Sequence, residues 1–288
     1  MKNVLVFGGA GQLGTCLQQL RPKELNGYQY HYLDVEEGNI LDPQVLSSLF
    51  VKYQPSYVIN CAAYTAVDLA EDEVEKADAI NHLGAANVAL ACKEAGTVLI
   101  HVSTDFVFEG NHAHPLKEND SAHPINVYGS TKLAGEHEIK RILDQHFIIR
   151  TSWLYSEFGG NFVKTMIKLG QSRDQLSVIG DQVGSPTYAM DLADFIIFLI
   201  DQGKTDYGIY HFSNEGVASW YDFAHEIFDL YGIQIALNSI ATEEYPTKAK
   251  RPSYSVMNKS KVKKGLQYSI PHWKDSLKVC INRLKKNQ

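Results

Sequence analysis

A tyrosine and a lysine four residues apart, Tyr128 and Lys132, are the residues of this sequence whose types and spacing point most directly to chemistry. Residues at positions i and i+4 project from the same side of a helix. There the ammonium group would lower the pKa of the phenol by favouring the phenolate. A phenol placed in this way exchanges a proton with a carbonyl or alcohol oxygen, and the hydroxyl of Thr104 or Ser103 would hold that same oxygen. The pair therefore predicts proton transfer to a sugar-like ligand.

The spacing alone is a weak signal, since about one such pair is expected by chance in a chain with 16 tyrosines. A glycine loop near the N-terminus strengthens it, with Gly8, Gly11 and Gly14 placed between an apolar run and an amphipathic segment. These glycines permit a tight turn, a close backbone approach to a pyrophosphate and close helix–strand packing. The amides and the dipole at the helix start then favour phosphate groups. We therefore expect a dinucleotide cofactor, with Gln12 and Leu13 also beside it.

The choice between the two nicotinamide cofactors depends first on Asp34. This residue ends the second apolar run, where a carboxylate accepts hydrogen bonds from the adenosine ribose and disfavours a 2′-phosphate. The glycine loop offers no Arg or Lys to compensate, so these residues by themselves favour NADH. The residues expected at the cofactor are Gly8, Gly11, Gln12, Leu13, Gly14, Asp34, Asn39, Ile40, Ala62, Ala63, Tyr64, Tyr128 and Lys132.

Length and composition indicate an ordinary globular chain that is large enough for a substantial core. The 288 residues are 44% hydrophobic and 21% charged, with a formal net charge of −6, which argues against a general nucleic-acid binder. The four cysteines form no CxxC or ligand-like cluster, so we expect neither a disulfide framework nor a metal site. The chain starts with a predicted strand rather than a signal peptide, and its longest apolar stretch is too short to span a bilayer. We expect a cytoplasmic monomer or homodimer without membrane or nucleic-acid partners.

Strand-like and helix-like segments alternate along the first half of the chain, which predicts a Rossmann-like, doubly wound parallel sheet in the α/β class. The predicted domains are a cofactor-binding domain over 1–153, to which about 188–213 returns, and a smaller substrate-binding lobe over about 154–187 and 214–288. The predicted strands are 2–7, 28–34, 56–63, 98–104 and 146–153. The predicted helices are 74–95, 128–144, 189–202, 219–231 and 271–286, with another after the glycine loop.

Taken together, several segments resemble the extended short-chain dehydrogenase/reductase family. A narrower set is similar to the nucleotide-sugar reductases of that family, and the resemblance covers nearly the whole chain. The segments that carry it are the glycine loop, AAYTAVD at 62–68, STDFVF at 103–108, NVYGSTKLAGE at 126–136, RTSWLY at 150–155, NFVKTM at 161–166 and DQVGSPT at 181–187.

The resemblance implies that Thr104, Tyr128 and Lys132 form the catalytic trio of a reductase. The reaction implied is hydride transfer to the C4 ketone of dTDP-6-deoxy-L-lyxo-4-hexulose, with Tyr128 protonating the oxygen. Such reductases commonly accept NADPH, so NADPH is the cofactor expected here, with NADH as the alternative. Some are metal-linked through glutamates near the first helix, where this chain has Thr15, so Mg²⁺ is not expected. The substrate residues implied are Thr65, Val67, Thr104, Asp105, Phe106, Trp153, Asn161 and Arg251.

Other functions within and beyond this family remain open. A nucleotide-sugar 4,6-dehydratase needs an Asp-Glu pair after the threonine, but Phe106 follows Asp105 where the glutamate would stand. An epimerase would retain its cofactor through a full cycle. A non-catalytic chain similar to the regulatory subunit of methionine adenosyltransferase would act by binding a synthetase, although such a chain has no chemical need for the trio.

Overall fold

A computed structural model gives the structure of residues 1–21, 24–25, 27–112 and 114–286. In the first half of the chain the strands of the central sheet largely alternate with helices, as the sequence predicts. The strands are β1 (Lys2–Phe7), β2 (Glu24–Leu25), β3 (Tyr28–Leu33), β4 (Pro55–Asn60), β5 (Val98–Thr104), β6 (His146–Thr151), β7 (Leu154–Tyr155), β8 (Gln175–Ile179), β9 (Val183–Gly184), β10 (Thr187–Tyr188), β11 (Gly208–His211), β12 (Ala218–Ser219) and β13 (Ala236–Ile240).

The helices cover both faces of the sheet and build the region beyond its edge. They are α1 (Gln12–Leu20), α2 (Pro43–Tyr53), α3 (Val67–Ala70), α4 (Val74–Asp78), α5 (Gly84–Ala95), α6 (Val127–Ile142), α7 (Phe162–Gly170), α8 (Ala189–Asp201), α9 (Trp220–Tyr231) and α10 (Trp273–Lys286). Short 3-10 turns occur at Asp105–Val107 and Thr242–Glu244, and π-helical turns at Ala79–Leu83 and Lys261–Gly265.

The central sheet has the strand order β11-β6-β5-β4-β1-β3-β2. Its strands pair in parallel, except that β2 runs antiparallel to β3. The predicted α/β class with a doubly wound parallel sheet is therefore confirmed. The carboxyl ends of β1, β4, β5 and β6 lie at one edge, which is where ligands of open α/β sheets bind.

Two predicted strands end earlier than their apolar runs. Strand β4 stops at Asn60, whose side-chain Oδ1 accepts a hydrogen bond from the amide of Ala62 at 3.1 Å. Strand β6 stops at Thr151, two residues before Trp153, which has a positive φ of 48°. A short polar contact after β4 and one left-handed residue after β6 thus end both strands in loops at the sheet edge.

The predicted helix 74–95 forms, but a π-helical turn interrupts it between α4 and α5. Asn81 lies in that turn and accepts from the Tyr64 amide at 2.9 Å, while its Nδ2 donates to the Tyr64 carbonyl at 3.1 Å. π-turns of this kind are frequent near functional sites. Helix α2 was not predicted, although Asp42 caps it and Pro43 occupies its first turn.

Apolar side chains fill both faces of the sheet. One buried cluster joins β1 and β6 to α1, α8 and α9, and a second lies between the sheet and α2, α5 and α6. Each residue of β6 is buried. In the described part of the chain, no helix is long and apolar enough to cross a membrane.

Candidate active site

A cavity of about 520 Å³ opens at the carboxyl edge of the sheet. The glycine loop forms one wall, and the end of β5 with the start of α6 forms another. Residues from the loop after β6 and from 159–161 close the remaining side. The predicted residues that line it are Gly8, Gly11, Gln12, Leu13, Gly14, Ala63, Thr65, Val67, Thr104, Asp105, Phe106, Tyr128, Lys132, Trp153 and Asn161.

Helix α6 carries Tyr128 and Lys132 into this cavity. The helix starts at Asn126, whose Oδ1 accepts from the amide of Gly129 at 2.7 Å and whose Nδ2 donates to the Lys250 carbonyl at 2.8 Å. An asparagine cap of this kind fixes the helix start. The capping residue therefore ties the first turn, with Tyr128, to the segment before Arg251.

The phenol of Tyr128 lies against Phe106 in an edge-to-face contact, with 5.6 Å between the ring centroids. Burial raises the pKa of Tyr128 to about 12, and the charge of Asp105 acts in the same direction, whereas the Thr104 hydroxyl acts to lower it. In the chain by itself, the pKa of Tyr128 is therefore raised, whereas the Tyr–Lys spacing alone predicts a lowered one. A tyrosine with this pKa is a proton donor at neutral pH, which is the form that a reductase requires.

Lys132 is 1% exposed and makes hydrogen bonds away from the phenol. Its Nζ donates to the Val102 carbonyl at 2.7 Å and lies 3.2 Å from Nε2 of His101. Burial lowers the pKa of Lys132 to about 8, while the charge of Glu136 acts to raise it. The lysine is therefore fixed against β5 by its head group.

Thr104 and Asp105 form the floor of the cavity. The Thr104 hydroxyl donates to Oδ1 of Asp105 at 3.1 Å and accepts from the amide of Phe106 at 3.2 Å. Asp105 is 2% exposed, and its Oδ2 makes no hydrogen bond within the described residues. Burial raises the pKa of Asp105 to about 6, against the lowering effects of the neighbouring Ser255 and Thr104 hydroxyls. Because this oxygen is also shielded from solvent, it is a buried acceptor without a partner, which adds to the cost of ionising Asp105.

Ser103, the alternative to Thr104, is engaged elsewhere. Its hydroxyl donates to Oε1 of Glu136 at 2.5 Å, and Arg150 makes a bidentate pair with the same carboxylate, with 2.7 Å between Nη2 and Oε2. All three side chains are buried. Thr104 is therefore the hydroxyl left to face a ligand oxygen, and Ser103 joins β5 to α6.

The glycine loop is shaped for close backbone approach. Gly8 has a φ of +74°, and a Cβ there would lie 2.8 Å from the amide nitrogen of Ala62. A Cβ on Gly14 would lie 2.4 Å from the Gly8 carbonyl oxygen. In the described part of the chain no side chain caps the start of α1 at Gly11, and the first residues of this helix line the cavity. This donor set fits the pyrophosphate of a dinucleotide.

A second cavity of about 300 Å³ continues from the glycine loop toward the end of β3. Asp34, Asn39, Ile40, Ala62 and Ala63 line it, and Gly8 and Gly11 belong to both cavities. One elongated ligand would therefore run from the carboxyl end of β3, past the glycine loop, to Tyr128. That path has the shape and polarity that a nicotinamide dinucleotide requires.

Two predicted residues line neither cavity. The Tyr64 hydroxyl donates to Oε2 of Glu73 at 3.1 Å, and the backbone of Tyr64 is held by the π-turn. Arg251 pairs with Asp68, with 2.6 Å between Nη2 and Oδ2. The structure thus brings together the catalytic trio and most cofactor residues, but not these two.

Trp153 is held in the cavity wall by a second indole. The rings of Trp153 and Trp220 stack with their centroids 3.5 Å apart and 7° between their planes. A Cβ on Gly184 would lie 2.8 Å from the Trp153 ring, so the backbone of Gly184 packs closely against the indole. These contacts sustain the left-handed backbone of Trp153, a conformation that is costly for a bulky residue.

Several residues of the site are absent from the sequence predictions. The cavity is also lined by Cys61, Val102, Thr151, Ser152, Leu154, Gly159 and Gly160, besides Ser103, which the sequence names as the alternative to Thr104. The Gly159-Gly160-Asn161 sequence is a turn signal next to the cap of α7, and Nδ2 of Asn161 donates to Oε1 of Gln12 at 2.8 Å. Within the described residues, no group of three or more His, Cys, Asp or Glu side chains could hold a metal ion.

A parallel sheet, a glycine loop at its carboxyl edge and a Tyr–Lys pair beside Thr104 define a nicotinamide-dependent short-chain dehydrogenase/reductase. The family model described as the RmlD substrate binding domain matches residues 1–286. The chain belongs to this family, which includes the dTDP-4-dehydrorhamnose reductases.

Curated relatives match the chain over almost its whole length. It is 41% identical to the spore coat polysaccharide biosynthesis protein SpsK of Bacillus subtilis, over 98% of this chain and 97% of the relative. It is 40% identical to the dTDP-4-dehydrorhamnose reductase of Escherichia coli K12, over 98% of each chain.

Solved structures show the same fold. The dTDP-4-dehydrorhamnose reductase of Clostridium acetobutylicum has a TM-score of 0.94 and 41% identity, covering 98% of this chain and 99% of that one. The corresponding reductase of Bacillus anthracis, solved in complex with NADP, has a TM-score of 0.93 and 39% identity, covering 98% of this chain and 100% of that one.

Proposed function

We propose that this protein reduces the C4 ketone of dTDP-6-deoxy-L-lyxo-4-hexulose to give dTDP-L-rhamnose, with NADPH as the preferred cofactor and NADH as the alternative. The observation that carries the proposal is the placement of Thr104, Tyr128 and Lys132 on one wall of a cavity that continues into the glycine loop. The reductases similar to this chain support the same reaction class.

The residues of the cavity have complementary roles toward the ketone. When bound, the reduced cofactor supplies the hydride. Tyr128 is protonated at neutral pH, because its pKa is raised to about 12, and it gives its proton to the developing alkoxide. The Thr104 hydroxyl turns from Asp105 to donate to the same oxygen, which stabilises the charge that develops there.

Lys132 joins α6 to β5 and lies, in this proposal, on the cofactor side of the cavity. With its pKa lowered to about 8, it remains mostly an ammonium at neutral pH. An ammonium in this place donates hydrogen bonds to ribose hydroxyls and favours the loss of the Tyr128 proton in the transition state. Its Nζ is anchored on the Val102 carbonyl at 2.7 Å.

The cofactor lies, in this proposal, along the two joined cavities. The first amides of α1 hold the pyrophosphate, and Gln12 and Leu13 form the adjoining wall. Asp34, Asn39 and Ile40 contact the adenosine, while Ala62 and Ala63 lie between the two ends. The NADP complex of the Bacillus anthracis reductase supports NADPH as the preferred cofactor.

The substrate occupies the opposite side of the cavity. Thr65, Val67, Asp105, Phe106 and Trp153 surround the sugar, and Asn161 lies where the 159–161 loop closes the wall. Arg251 is the candidate for the diphosphate, because a guanidinium matches phosphate geometry, and it would exchange its pair with Asp68 for the ligand.

We further propose that residues 1–153, with 188–213, form the cofactor-binding domain and that 154–187 and 214–288 form the substrate-binding lobe. The return of α8 and β11 to the sheet supports this division, since β11 pairs with β6. The four cysteines are free thiols, which supports a reducing, cytoplasmic location. A monomer or a homodimer is compatible with this division.

The decisive experiment follows NADPH and NADH oxidation with the dTDP-linked 4-keto-6-deoxy sugar beside its UDP analogue. We expect rapid oxidation with the dTDP sugar and formation of dTDP-L-rhamnose. Formation of an epimer without net oxidation would replace the reductase by an epimerase. A lack of oxidation, together with stable binding to a methionine adenosyltransferase, would overturn the enzyme assignment.

A further inference from the structure

Three buried polar side chains form a continuous chain beneath the catalytic wall. Asn60 ends β4, His101 lies within β5 and Lys132 lies on α6, and each is at most 1% exposed. Nδ2 of Asn60 lies 3.2 Å from Nδ1 of His101, and Nε2 of His101 lies 3.2 Å from Nζ of Lys132. The roles proposed above use only the last member of this chain.

The orientation of the Asn60 amide follows from its other contact. Oδ1 accepts a hydrogen bond from the backbone amide of Ala62 at 3.1 Å. A flipped amide would place an NH₂ group against that N–H, which would leave two buried donors facing each other. Asn60 therefore directs its NH₂ group at His101.

The tautomer of His101 follows in turn. Because Nδ1 accepts from Asn60, a neutral ring carries its hydrogen on Nε2. The ring is neutral, since burial and then the charge of Lys132 hold the pKa of His101 well below its usual range. Its one N–H group therefore points at Nζ of Lys132.

A donor pointing at Lys132 opposes the ammonium form. An ammonium has three donors and no lone pair, whereas a neutral amine can accept from His101 and still donate to the Val102 carbonyl. Loss of one proton from Lys132 thus completes the hydrogen bonds of the chain. The lowered pKa of Lys132, to about 8, agrees with this geometry.

We propose that Asn60 and His101 are positioning residues that act through Lys132, by presenting a histidine N–H to its amino group and so weakening its hold on a proton. The catalytic consequence rests on the proposed function, in which the ammonium form is the active one. There the pair sets the upper pH limit of the reaction.

Other ionisable groups also lie near His101 and Lys132. Glu136 acts to raise the pKa of Lys132, and His146 acts to lower that of His101. The Cys61 thiol is uncharged near neutral pH, because burial raises its pKa to about 12. The Glu136 charge is paired with Arg150. Tyr128 lies one helical turn before Lys132 and is uncharged at neutral pH. The histidine N–H is therefore the contact that favours the neutral amine of Lys132 over its ammonium form.

The first test measures the tautomer directly in the ligand-free protein. Nitrogen chemical shifts of His101 in ¹⁵N-labelled protein distinguish a protonated from an unprotonated ring nitrogen. We expect hydrogen on Nε2 alone, without titration between about pH 6 and pH 9. Hydrogen on Nδ1, or an imidazolium at pH 7, would overturn the proposal without any reference to enzyme activity.

The second test uses two variants, at His101 and at Asn60, that each replace the N–H directed at Lys132 by an acceptor. In His101→Gln the amide oxygen accepts from the ammonium. In Asn60→Asp the carboxylate accepts from Nδ1, which leaves the Nε2 lone pair for Lys132. The pKa of Lys132, followed by its side-chain carbon shifts, is expected to rise by at least about one unit in each variant, a tenfold weaker acid. Unchanged titration in both folded variants would refute the proposed effect on Lys132.

A matched control is His211→Gln, since His211 is a buried histidine that contacts the Leu116 carbonyl and Arg150 rather than Lys132. It should leave the titration of Lys132 unchanged.

In the activity assay, the alkaline limb of kcat/KM should move to higher pH in His101→Gln and Asn60→Asp but not in the control. A wild-type protein without reductase activity would refute the proposed function, and the ligand-free measurements would still decide this inference. If the variants fail to fold, the wild-type tautomer decides it.

Discussion

The two ends of the proposed cofactor path differ in their access to water. At the catalytic end, Thr104, Asp105 and Lys132 are each at most 5% exposed. At the other end, Asp34 is exposed and Asn39 is half-buried. Charges and hydrogen bonds act more strongly where water is excluded. The buried end therefore determines the chemistry, whereas the exposed end adjusts the choice of cofactor by small increments.

The largest expected effect is at the phenol. Tyr128→Phe should lower kcat by about 10²–10⁴-fold, because the proton donor is lost while the ring still packs on Phe106. Stopped-flow or steady-state NADPH oxidation measures the loss, and cofactor affinity should stay near the wild-type value. The control is Tyr245→Phe, at an exposed tyrosine. Near-normal turnover in Tyr128→Phe would refute the role of Tyr128.

A smaller loss is expected at the second contact to the ketone oxygen. Thr104→Ala should reduce kcat by about 10²–10³-fold, since one preorganised donor to the developing charge disappears. Thr104→Ser retains the hydroxyl and should recover most of the rate. If both variants lose activity equally, the hydroxyl is not the group that matters, and the side-chain methyl must be considered instead.

The buried carboxylate of Asp105 should cost stability in a pH-dependent way. Its pKa is raised from 3.8 to about 6, so the folded state binds a proton more tightly than the unfolded state does. Stability is therefore lost as the pH rises from about 4 through 6, and the loss is complete above that range. Asp105→Asn removes this dependence and should gain about 3 kcal/mol in unfolding free energy at pH 8 relative to pH 4.

Urea unfolding of wild type and Asp105→Asn at both pH values measures this difference. Asp222→Asn would not serve as a control, because Asp222 caps α9 with Ser219. Asp206→Asn, outside both cavities, is the matched control for the loss of a carboxylate. An equal change at pH 4 and pH 8 would mean that ionisation of Asp105 is not its cause.

The smallest effect is expected at the exposed end. Asp34→Asn removes a carboxylate that repels a 2′-phosphate, so the ratio of kcat/KM for NADPH over NADH should rise by about tenfold or less. Initial rates with each cofactor measure the ratio, and added salt should reduce the difference. A fall in the ratio would place the adenosine ribose elsewhere.

Local patterns allowed much of this molecule to be predicted. The glycine spacing, the alternation of apolar runs and the four-residue spacing of Tyr128 and Lys132 each lie within one or two adjoining elements. Their placement follows from the geometry of a parallel sheet, which brings the carboxyl ends of its strands together. The sheet and most residues of the cavity could therefore be predicted without a structure.

Contacts between distant segments could not be predicted in the same way. Arg251 pairs with Asp68, far from it in sequence, so its charge is already compensated in this structure. Lys132 contacts His101 and Val102 on β5, and burial of the phenol raises the pKa of Tyr128 where the spacing alone predicts a lowered one. A motif names the residue types present, but burial and long-range partners decide their protonation.

The stacked indoles of Trp153 and Trp220 also give this protein an optical property. The chain has only three tryptophans. Two of them are stacked on each other, and Trp153 of this pair lines the cavity. Their emission depends on ring separation and on the polarity beside Trp153. A molecule that enters next to Trp153 should therefore change the intrinsic fluorescence, so that ligand binding can be followed without a label or a coupled reaction.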